Sequence, residues 1–579
     1  LNLKKVDLRM HNKDGRHRFG LRATPPDEVA APVDIRGDFT GALVNTLGQW
    51  RGRLFAQLNH VDLAALQTWI SFPEELEFDR GSGAFRAWIG WEDQSVAYWT
   101  ADVNLHQARM HRAKDLPKLE LEHLRGRVGW KGSDGTKQQG NVWFARQLSV
   151  AIENELFTKP VNILWRRQEL QGIAHGENKL WLDDLDLSMV ASLVSYLPID
   201  SSLRKQLGQF SELSPKGVIE HAQVYWHGDW AKPLSFSVEG RFHDLTINDF
   251  GKVSSVSGMS GSVDVTERGG TLSLDSAEVS MELSEAFDEP LEFDRLFAQI
   301  DWKISSGQDK TLFEFNRIAF ANRHMSGMIH GRYQDASDQA DTIDLSGELA
   351  TADVNYIKRY MAFLIDQEAA QNWLGKTIVA GRLDEAKFHI RGDVDKLFSD
   401  QRNALALKLQ TKIIDTTVNL PEGWPGMTDM QAALTFQDNQ LEMMVSRAKV
   451  AGIVLKNGRL RMANLHAPDS VLYLTGEAEG ATQKIINLLE KSPLYPYAAD
   501  FSRQGHVDGN GKLQLKLAMP ISAKRDNDRG IELTGRYQFI DNKIDLGHGL
   551  PALSKINGLL AFTQSSWTIE KMNGQMMGG

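Results

Sequence analysis

The stretch that decides the fold is AGRLDEAKFHIRGD, residues 380–393, because its pattern occurs a second time in KGVIEHAQVYWHGD, residues 216–229. Both copies run through a glycine, an acidic residue and an alanine into alternating polar and apolar residues that end in Gly-Asp. Alternation with a period of two is typical of half-buried strands. A pattern that recurs at a distance indicates a stacked structural unit.

The segment before each copy also recurs. It combines an alternating strand, an apolar-Asp-apolar triplet and an amphipathic helical pattern, and the fourth copy lacks the Asp. The four segments are residues 51–70, 178–197, 343–364 and 471–490. Asp62, Asp186 and Asp353 stand where a carboxylate accepts hydrogen bonds from the free amides of a helix N-terminus.

These recurrences predict four repeats. The predicted boundaries are 1–48 for the end of a preceding β unit, 49–176, 177–342 and 343–470 for the first three repeats, and 471–579 for a truncated fourth.

Short turn signals separate the alternating segments. ERGG (267–270), SSGQ (305–308), QDNQ (437–440) and KNGR (456–459) contain residues that tolerate the positive φ of tight turns, so each is predicted to close a hairpin. Strands joined by short turns are antiparallel, since parallel strands need long crossovers. The fold class is therefore mainly β, with one long antiparallel sheet that extends unit by unit and a few short amphipathic helices. Alternation alone leaves open whether the apolar face closes as a sandwich or lines a trough.

Apolar residues at alternate positions of the predicted strands are the candidate lining of that face. They are Phe85, Ala87, Ile89, Val224, Trp226, Leu272, Leu274, Phe313, Phe315, Phe388, Ile390, Leu405, Leu407, Leu409, Leu434, Phe436, Leu472, Leu474, Leu513, Leu515 and Leu517.

Composition and motifs argue against several functional classes. The 579 residues carry a net charge of −10 with no basic cluster, which argues against nucleic-acid binding. The chain has no cysteine, so disulfides, thiol catalysis and Cys-ligated zinc are excluded. Gly375-Lys376-Thr377 lacks the glycine loop of a phosphate site, and neither HExxH nor GxSxG occurs. We predict no enzymatic activity, no cofactor and no metal site, and we place His221, His227 and His389 on the polar face of strands.

The chain resembles the AsmA-like proteins of Gram-negative bacteria, and specifically their YhdP branch. The resemblance lies in VDLAALQTWISFPEEL (61–76), DLPKLELEHLRGRVGW (115–130) and DTTVNLPEGWPGMTDMQAALTF (415–436), and the similar pattern covers nearly the whole chain. It implies an elongated, curved sheet that forms a taco-like hydrophobic groove lined by the apolar residues named above.

The resemblance also implies a function and a location. Members of the family are associated with phospholipid transport between the inner and outer membranes, so the expected partner is phospholipid, with no nucleic acid. We expect a periplasmic protein that is anchored to the inner membrane through an N-terminal helix missing from this sequence, and that reaches both membranes through regions outside it.

Three alternatives remain open at this stage. The helices could cap the groove or pack outside the sheet, and the numerous Trp residues could border a lipid or serve strand packing. The main rival function is a periplasmic scaffold of β repeats with a closed core and no lipid ligand.

Overall fold

The computed structural model describes residues 3–26, 29–41, 50–68, 77–92, 95–111, 117–133, 140–152, 155–156, 159–168, 176–193, 196, 208–230, 232–250, 253–284, 287, 289–305, 310–336, 340–357, 378–394, 406–419, 425–464, 470–492, 506–520, 531–545 and 551–577.

The described residues form 29 strands and a few short helices. The first fifteen strands are β1 (Lys4–Lys13), β2 (Arg16–Thr24), β3 (Val33–Thr40), β4 (Arg51–Asp62), β5 (Glu77–Glu92), β6 (Ser95–His111), β7 (Leu119–Lys131), β8 (Asn141–Ile152), β9 (Glu155–Leu156), β10 (Val161–Gln168), β11 (Glu177–Asp186), β12 (Lys216–Asp229), β13 (Lys232–Phe250), β14 (Val253–Thr266) and β15 (Gly269–Glu282). The others are β16 (Leu291–Ser305), β17 (Lys310–Ala321), β18 (Met325–Ala336), β19 (Thr342–Asp353), β20 (Ile378–Asp393), β21 (Ala406–Val418), β22 (Met427–Gln437), β23 (Gln440–Val450), β24 (Ile453–Met462), β25 (Val471–Ala481), β26 (His506–Pro520), β27 (Glu532–Asp545), β28 (Leu553–Thr563) and β29 (Trp567–Met576). The helices are α1 (Leu63–Leu66), α2 (Leu187–Leu193) and α3 (Thr482–Glu490), with further short helical segments at 208–212 and 354–357.

Hydrogen bonding joins strands that are neighbours in sequence into an antiparallel sheet, from β1 to β15 and again from β17 to β29. The two-residue strand β9 pairs with the last two residues of β8, and β10, which follows β9 in sequence, pairs with the preceding part of β8. The predicted fold class, a mainly β chain with a curved antiparallel sheet and few short helices, is confirmed. The positions of the four repeat boundaries stay a prediction.

The chain divides into two compact units, with the division running through β16. Unit 1 holds β1–β15 and unit 2 holds β17–β29.

Within each unit the helices follow strands that run in the same direction. Six antiparallel pairings separate β4 from β11 in unit 1, so α1 and α2 begin at the same edge of the sheet. Six pairings also separate β19 from β25 in unit 2, which puts residues 354–357 and α3 at one edge. We call the row of strand ends at which the helices begin the helix edge of each unit, and the row of strand ends on the opposite side the far edge.

The three predicted carboxylate caps are confirmed. Asp62 Oδ1 accepts a hydrogen bond from the Ala65 amide at 2.8 Å. Asp186 Oδ1 accepts one from the Ser188 amide at 2.9 Å, and Asp353 Oδ1 accepts one from the Asn355 amide at 2.8 Å. Ala481, which precedes α3, provides no side-chain cap.

Two of the four turn predictions are confirmed, at 267–268 and 438–439, and the predicted turn at SSGQ lies outside the described residues from 306 onward. The prediction at KNGR (456–459) is wrong, because these residues lie inside β24. Asn457 has a φ of +51°, and the register with β25 shifts between Lys456 and Arg459. The same tolerance of positive φ that suits a hairpin also suits a β-bulge, so the sequence signal was ambiguous.

Such bulges recur near the helix edge. Asp244, Glu278, Glu385, Asp415 and Asp429 all have φ between +48° and +56°, and each lies within a register shift. Because a bulge bends its strand and increases the local twist, these residues give each unit a physical source of sheet curvature.

Candidate functional site

One face of the sheet is apolar across unit 1. Directly paired residues of antiparallel strands share a face, so the registers trace a row from strand to strand. The row is Leu8, Leu21, Ile35, Ala56, Ala87, Ala101, Val128, Ala145, Ile163, Leu182, Ala222, Gly240, Val263 and Leu272. It crosses every strand from β1 to β15 except β9, and no polar side chain interrupts it.

Unit 2 has a row of the same kind. It runs through Ile318, Ile329, Gly347, Phe388, Leu409, Phe436, Leu441, Met462, Leu472 and Met519, from β17 to β26. We call the face that carries these rows the apolar face of each unit, and the other the polar face.

The registers place every described member of the predicted lining set on the apolar face of its unit. Leu405 lies outside the described residues. Trp226, Leu274, Leu513 and Leu517 are buried, and the others are half-buried. That they contact lipid stays a prediction.

Close packing flattens some of these side chains against the sheet. Gly347 pairs with Phe388, and a Cβ at Gly347 would overlap the Cζ atom of the Phe388 ring. The ring therefore lies over Gly347 and occupies the space that a larger residue at position 347 would need.

The polar face carries ion pairs between neighbouring strands. Arg127 Nε lies 2.6 Å from Asp102 Oδ1, and the hydrogen bond from this guanidinium lowers the pKa of the Asp102 carboxyl. Lys412 Nζ lies 2.6 Å from Glu385 Oε2 and lowers the pKa of that carboxyl in the same way. Both partners of each pair keep access to water on the side away from the apolar rows, where an ion pair avoids the cost of desolvation.

The three histidines are on the polar face, as predicted. His221 Nδ1 lies 2.7 Å from Asp183 Oδ1, and His227 Nε2 lies 3.3 Å from Glu177 Oε1. His389 Nε2 lies 2.8 Å from Asp344 Oδ1, and this hydrogen bond, with a second from Arg332, lowers the pKa of the Asp344 carboxyl.

The polar face of unit 1 also has a cavity of about 560 Å³, lined by Asn104, His106, His123, Arg125, Gln147, Ser149 and Pro160. Its mouth is open and most of these side chains are exposed or half-buried. In the part of the chain that the structure describes, no group of His, Asp and Glu residues is arranged to hold a metal ion.

The helices pack on the apolar face. In unit 1, Leu63 and Leu66 of α1 and Met189 of α2 belong to one buried cluster with Phe78 and Leu105 of the sheet. This cluster covers the apolar face along the helix edge. Of the two positions left open by the sequence, α1 and α2 therefore take the one on the apolar face, where the groove was predicted, and not the one outside the sheet.

In unit 2, α3 covers a longer part of the apolar face. Ile485 clusters with Leu513 near the helix edge, and Leu489 packs on the cluster of Leu517 and Leu533. Leu513 and Leu517 are each only 5% exposed, so these two predicted lining residues are covered by the chain itself.

Sequence reasoning missed one feature, a row of tryptophans at the far edge of unit 1. Trp99 pairs with Trp130, Trp130 with Trp143, and Trp143 with Trp165. In the sequence, each tryptophan is a single apolar residue in the alternating pattern of its own strand. Only the pairing registers show that the tryptophans lie side by side. Their signal was the repeated placement of Trp at one end of successive strands.

Among the described residues, no helix has the length and apolar character that crossing a membrane requires.

Comparison with known proteins gives one match. No curated protein and no solved structure is similar enough to count as a match. The family model described as "YhdP protein" matches residues 1–579, which is the whole length of the sequence. This match over the full length of the sequence shows that the chain belongs to the YhdP family.

Proposed function

We propose that this protein is a non-enzymatic lipid conduit, whose apolar face shields the acyl chains of phospholipids on their way across the periplasm between the inner and outer membranes. Membership of the YhdP family suggests a role in lipid transport. The observation that carries the proposal is the apolar row of unit 1. This row crosses every strand from β1 to β15 except β9, and it contains no polar side chain.

The energetics of lipid transfer explain why such a row is useful. Exposing one methylene group to water costs about 0.8 kcal/mol, so exposing a two-chain lipid costs on the order of 20 kcal/mol or more. A surface that is equally apolar at each strand lowers this cost at every step. It also offers no deep pocket in which the lipid would be held.

The half-buried residues of the apolar face suit this role better than a closed core does. Ala87, Val224 and Leu272 retain part of their surface although they are apolar and lie inside long strands. The rival function, a scaffold with a closed core, is favoured locally by α3, which covers Leu513 and Leu517. Lipid contact at those two leucines would require α3 to leave the sheet.

Mass spectrometry of organic extracts tests the proposal. The protein purified from a Gram-negative host is expected to yield co-purified phospholipid, and an extract free of phospholipid would favour the scaffold.

A charge on the apolar face sharpens the test. Leu407→Asp is expected to reduce the phospholipid recovered per mole of protein, because an ionised carboxylate is costly to bury beside hydrocarbon. Gln410→Asp adds the same charge to the polar face of the same strand and is expected to leave recovery unchanged. Circular dichroism establishes that both variants keep their strand content. Equal recovery from the two folded variants would contradict the proposal.

A further inference from the structure

The far edge of unit 1 differs in composition from the rest of its apolar face. We define the tryptophan row as Trp99, Trp130, Trp143, Trp165 and Trp226. The ring centroids of Trp143 and Trp165 are 4.6 Å apart with the rings stacked, and those of Trp165 and Trp226 are 6.4 Å apart. The row therefore crosses β6, β7, β8, β10 and β12 as a nearly continuous aromatic band.

Polar residues follow the tryptophans on the same face. Arg167 lies two residues beyond Trp165 and pairs directly with Asn141 of β8 and with Asn178 of β11. Asn178 is only 6% exposed, and its Oδ1 accepts a hydrogen bond from the Trp165 indole Nε1 at 3.3 Å. We call Asn141, Arg167 and Asn178 the polar trio.

Arg167 is the charged member of the trio. It is exposed, and its guanidinium makes no hydrogen bond or ion pair with any residue that the structure describes. A guanidinium in this state is available to an anion, and its planar donors match the oxygens of a phosphate group.

The opposite end of these strands is closed. Leu105, Leu121 and Ile152, at the helix edge, are buried in the cluster that includes α1 and α2. Strands β6, β7, β8 and β10 therefore each pass from a buried apolar end, through half-buried apolar residues, to a tryptophan, and on β8 and β10 a polar residue follows.

The width of this profile matches a lipid. Trp99 and Leu105 lie six residues apart on β6, which corresponds to about 20 Å along the strand. The hydrocarbon of one bilayer leaflet is about 15 Å deep, half of the membrane core. Trp side chains are favoured at the boundary between hydrocarbon and head groups, because the ring is apolar and the N–H is polar.

We propose that the far edge of unit 1 is a head-group subsite. The phosphate of a phospholipid contacts Arg167 beside Asn141 and Asn178, the tryptophan row borders the glycerol region, and the acyl chains lie along the strands towards the helix edge. This orientation rests on the proposed lipid-conduit function and adds to it the side of the apolar face on which the head group sits.

The first test compares two arginines that are neighbours in sequence. Arg166 lies on the opposite face, with its Cζ atom 5.9 Å from the centroid of the Trp181 ring. The assay measures transfer of a radiolabelled lipid from phosphatidylcholine vesicles to the protein, with either dioleoyl phosphatidylglycerol or dioleoylglycerol as the probe. We expect Arg167→Ala to weaken phosphatidylglycerol binding about tenfold, the loss of one charge-assisted contact, without weakening dioleoylglycerol binding. Arg166→Ala should bind both probes as the parent does.

Each other outcome of this test has a definite meaning. If the parent takes up neither lipid, the conduit function itself fails. If it takes up both and Arg167→Ala affects them equally or not at all, the conduit survives and the head-group subsite is overturned. Displacement of phosphatidylglycerol by excess inorganic phosphate would also overturn it, because Arg167 would then be a site for free phosphate.

The second test measures orientation. Because the chain has no cysteine, a single bimane label can be placed at Leu180→Cys, level with Trp165, or at Val103→Cys, four residues from Trp99 towards the helix edge. A phospholipid with a nitroxide on its head group should quench the label at position 180 more strongly, and one with a nitroxide at the end of an acyl chain should quench the label at position 103 more strongly. The reverse order would overturn the proposed orientation.

Discussion

The hydroxyl of Tyr537 is a polar group on the apolar face of unit 2, and burial raises its pKa to about 12. It donates a hydrogen bond to Thr482 Oγ1 at 2.8 Å, and Thr482 donates in turn to Asn542 Oδ1. Asn542 Nδ2 donates to the Asn510 carbonyl at 2.7 Å. This satisfied chain of buried polar groups ties the first residue of α3 to β26 and β27.

Removing that hydroxyl is expected to weaken the attachment of α3. Tyr537→Phe should lower the free energy of unfolding by about 1 kcal/mol, since one hydrogen bond is lost and the Thr482 acceptor is left without its donor. Urea denaturation followed by tryptophan fluorescence measures the change. Tyr225→Phe is the matched control, because the Tyr225 hydroxyl donates to Gln223 on the exposed polar face. An equal effect of the two substitutions would contradict the assignment.

The same tyrosine predicts a dependence of stability on alkaline pH. Its pKa in the folded state, about 12, is above the ordinary value of 10.0, so the stability it contributes is complete below pH 10 and is lost as the pH rises towards 12. The Tyr537→Phe variant should lack this part of the decline when the denaturation series is repeated across that interval. A parallel decline in parent and variant would show that other groups cause it.

Single residues show what the sequence can and cannot predict. Asp62, Asp186 and Asp353 were predictable as caps, since a short acceptor before a helical pattern has one dominant use. The bulge at KNGR was not predictable, because Asn457 adopts in a β-bulge the same left-handed backbone conformation that a tight turn requires. The choice between the two depends on which strand lies alongside.

At the scale of elements, the cap on α1 tests how the helix edge is organised. Asp62→Ala should cost about 1 kcal/mol of local helix stability, because the Ala65 amide loses its acceptor. Hydrogen exchange at the amides of Ala65, Gln67 and Thr68, which donate to Asp62, Leu63 and Ala65, measures this loss. Asp62→Asn retains a side-chain oxygen that caps nearly as well and should stay close to the parent. Unchanged exchange in Asp62→Ala would show that packing alone holds α1.

Helix α3 is the element that decides whether the apolar face is closed around Leu513 and Leu517. Ile485 is 1% exposed and clusters with Leu513, so Ile485→Ala should lower the free energy of opening α3 by about 2–5 kcal/mol. Hydrogen exchange of the α3 amides reports that opening. Lys484→Ala, at an exposed position of the same helix, is the control. Similar protection in both variants would mean that α3 is not held by its apolar side.

Elements were predicted unevenly for a physical reason. The period of two and the turn residues identified strands and their antiparallel pairing, because both are local properties. The tryptophan row was not predictable, because it depends on registers such as Trp143 with Trp165, which join residues far apart in the sequence. Likewise, amphipathic helical patterns indicated helices but not the face on which they pack.

At the scale of the whole molecule, each unit presents its own apolar row opposite a polar face with ion pairs. Alternation predicted which residues share that face, and the registers agree for every described member of the predicted set. It could not predict where the face is covered, since the cover of Leu513 and Leu517 comes from a helix whose docking is a tertiary property.

The most direct measurement of the central claim is a photocrosslinking scan along one strand. Benzoylphenylalanine would replace, one at a time, Leu407, Lys408, Leu409 and Gln410 of β21, which alternate between the apolar and polar faces. The account predicts phospholipid adducts at positions 407 and 409 and none at 408 and 410 when the full chain is irradiated in a Gram-negative host. Adducts at all four positions alike, or at none, would contradict it.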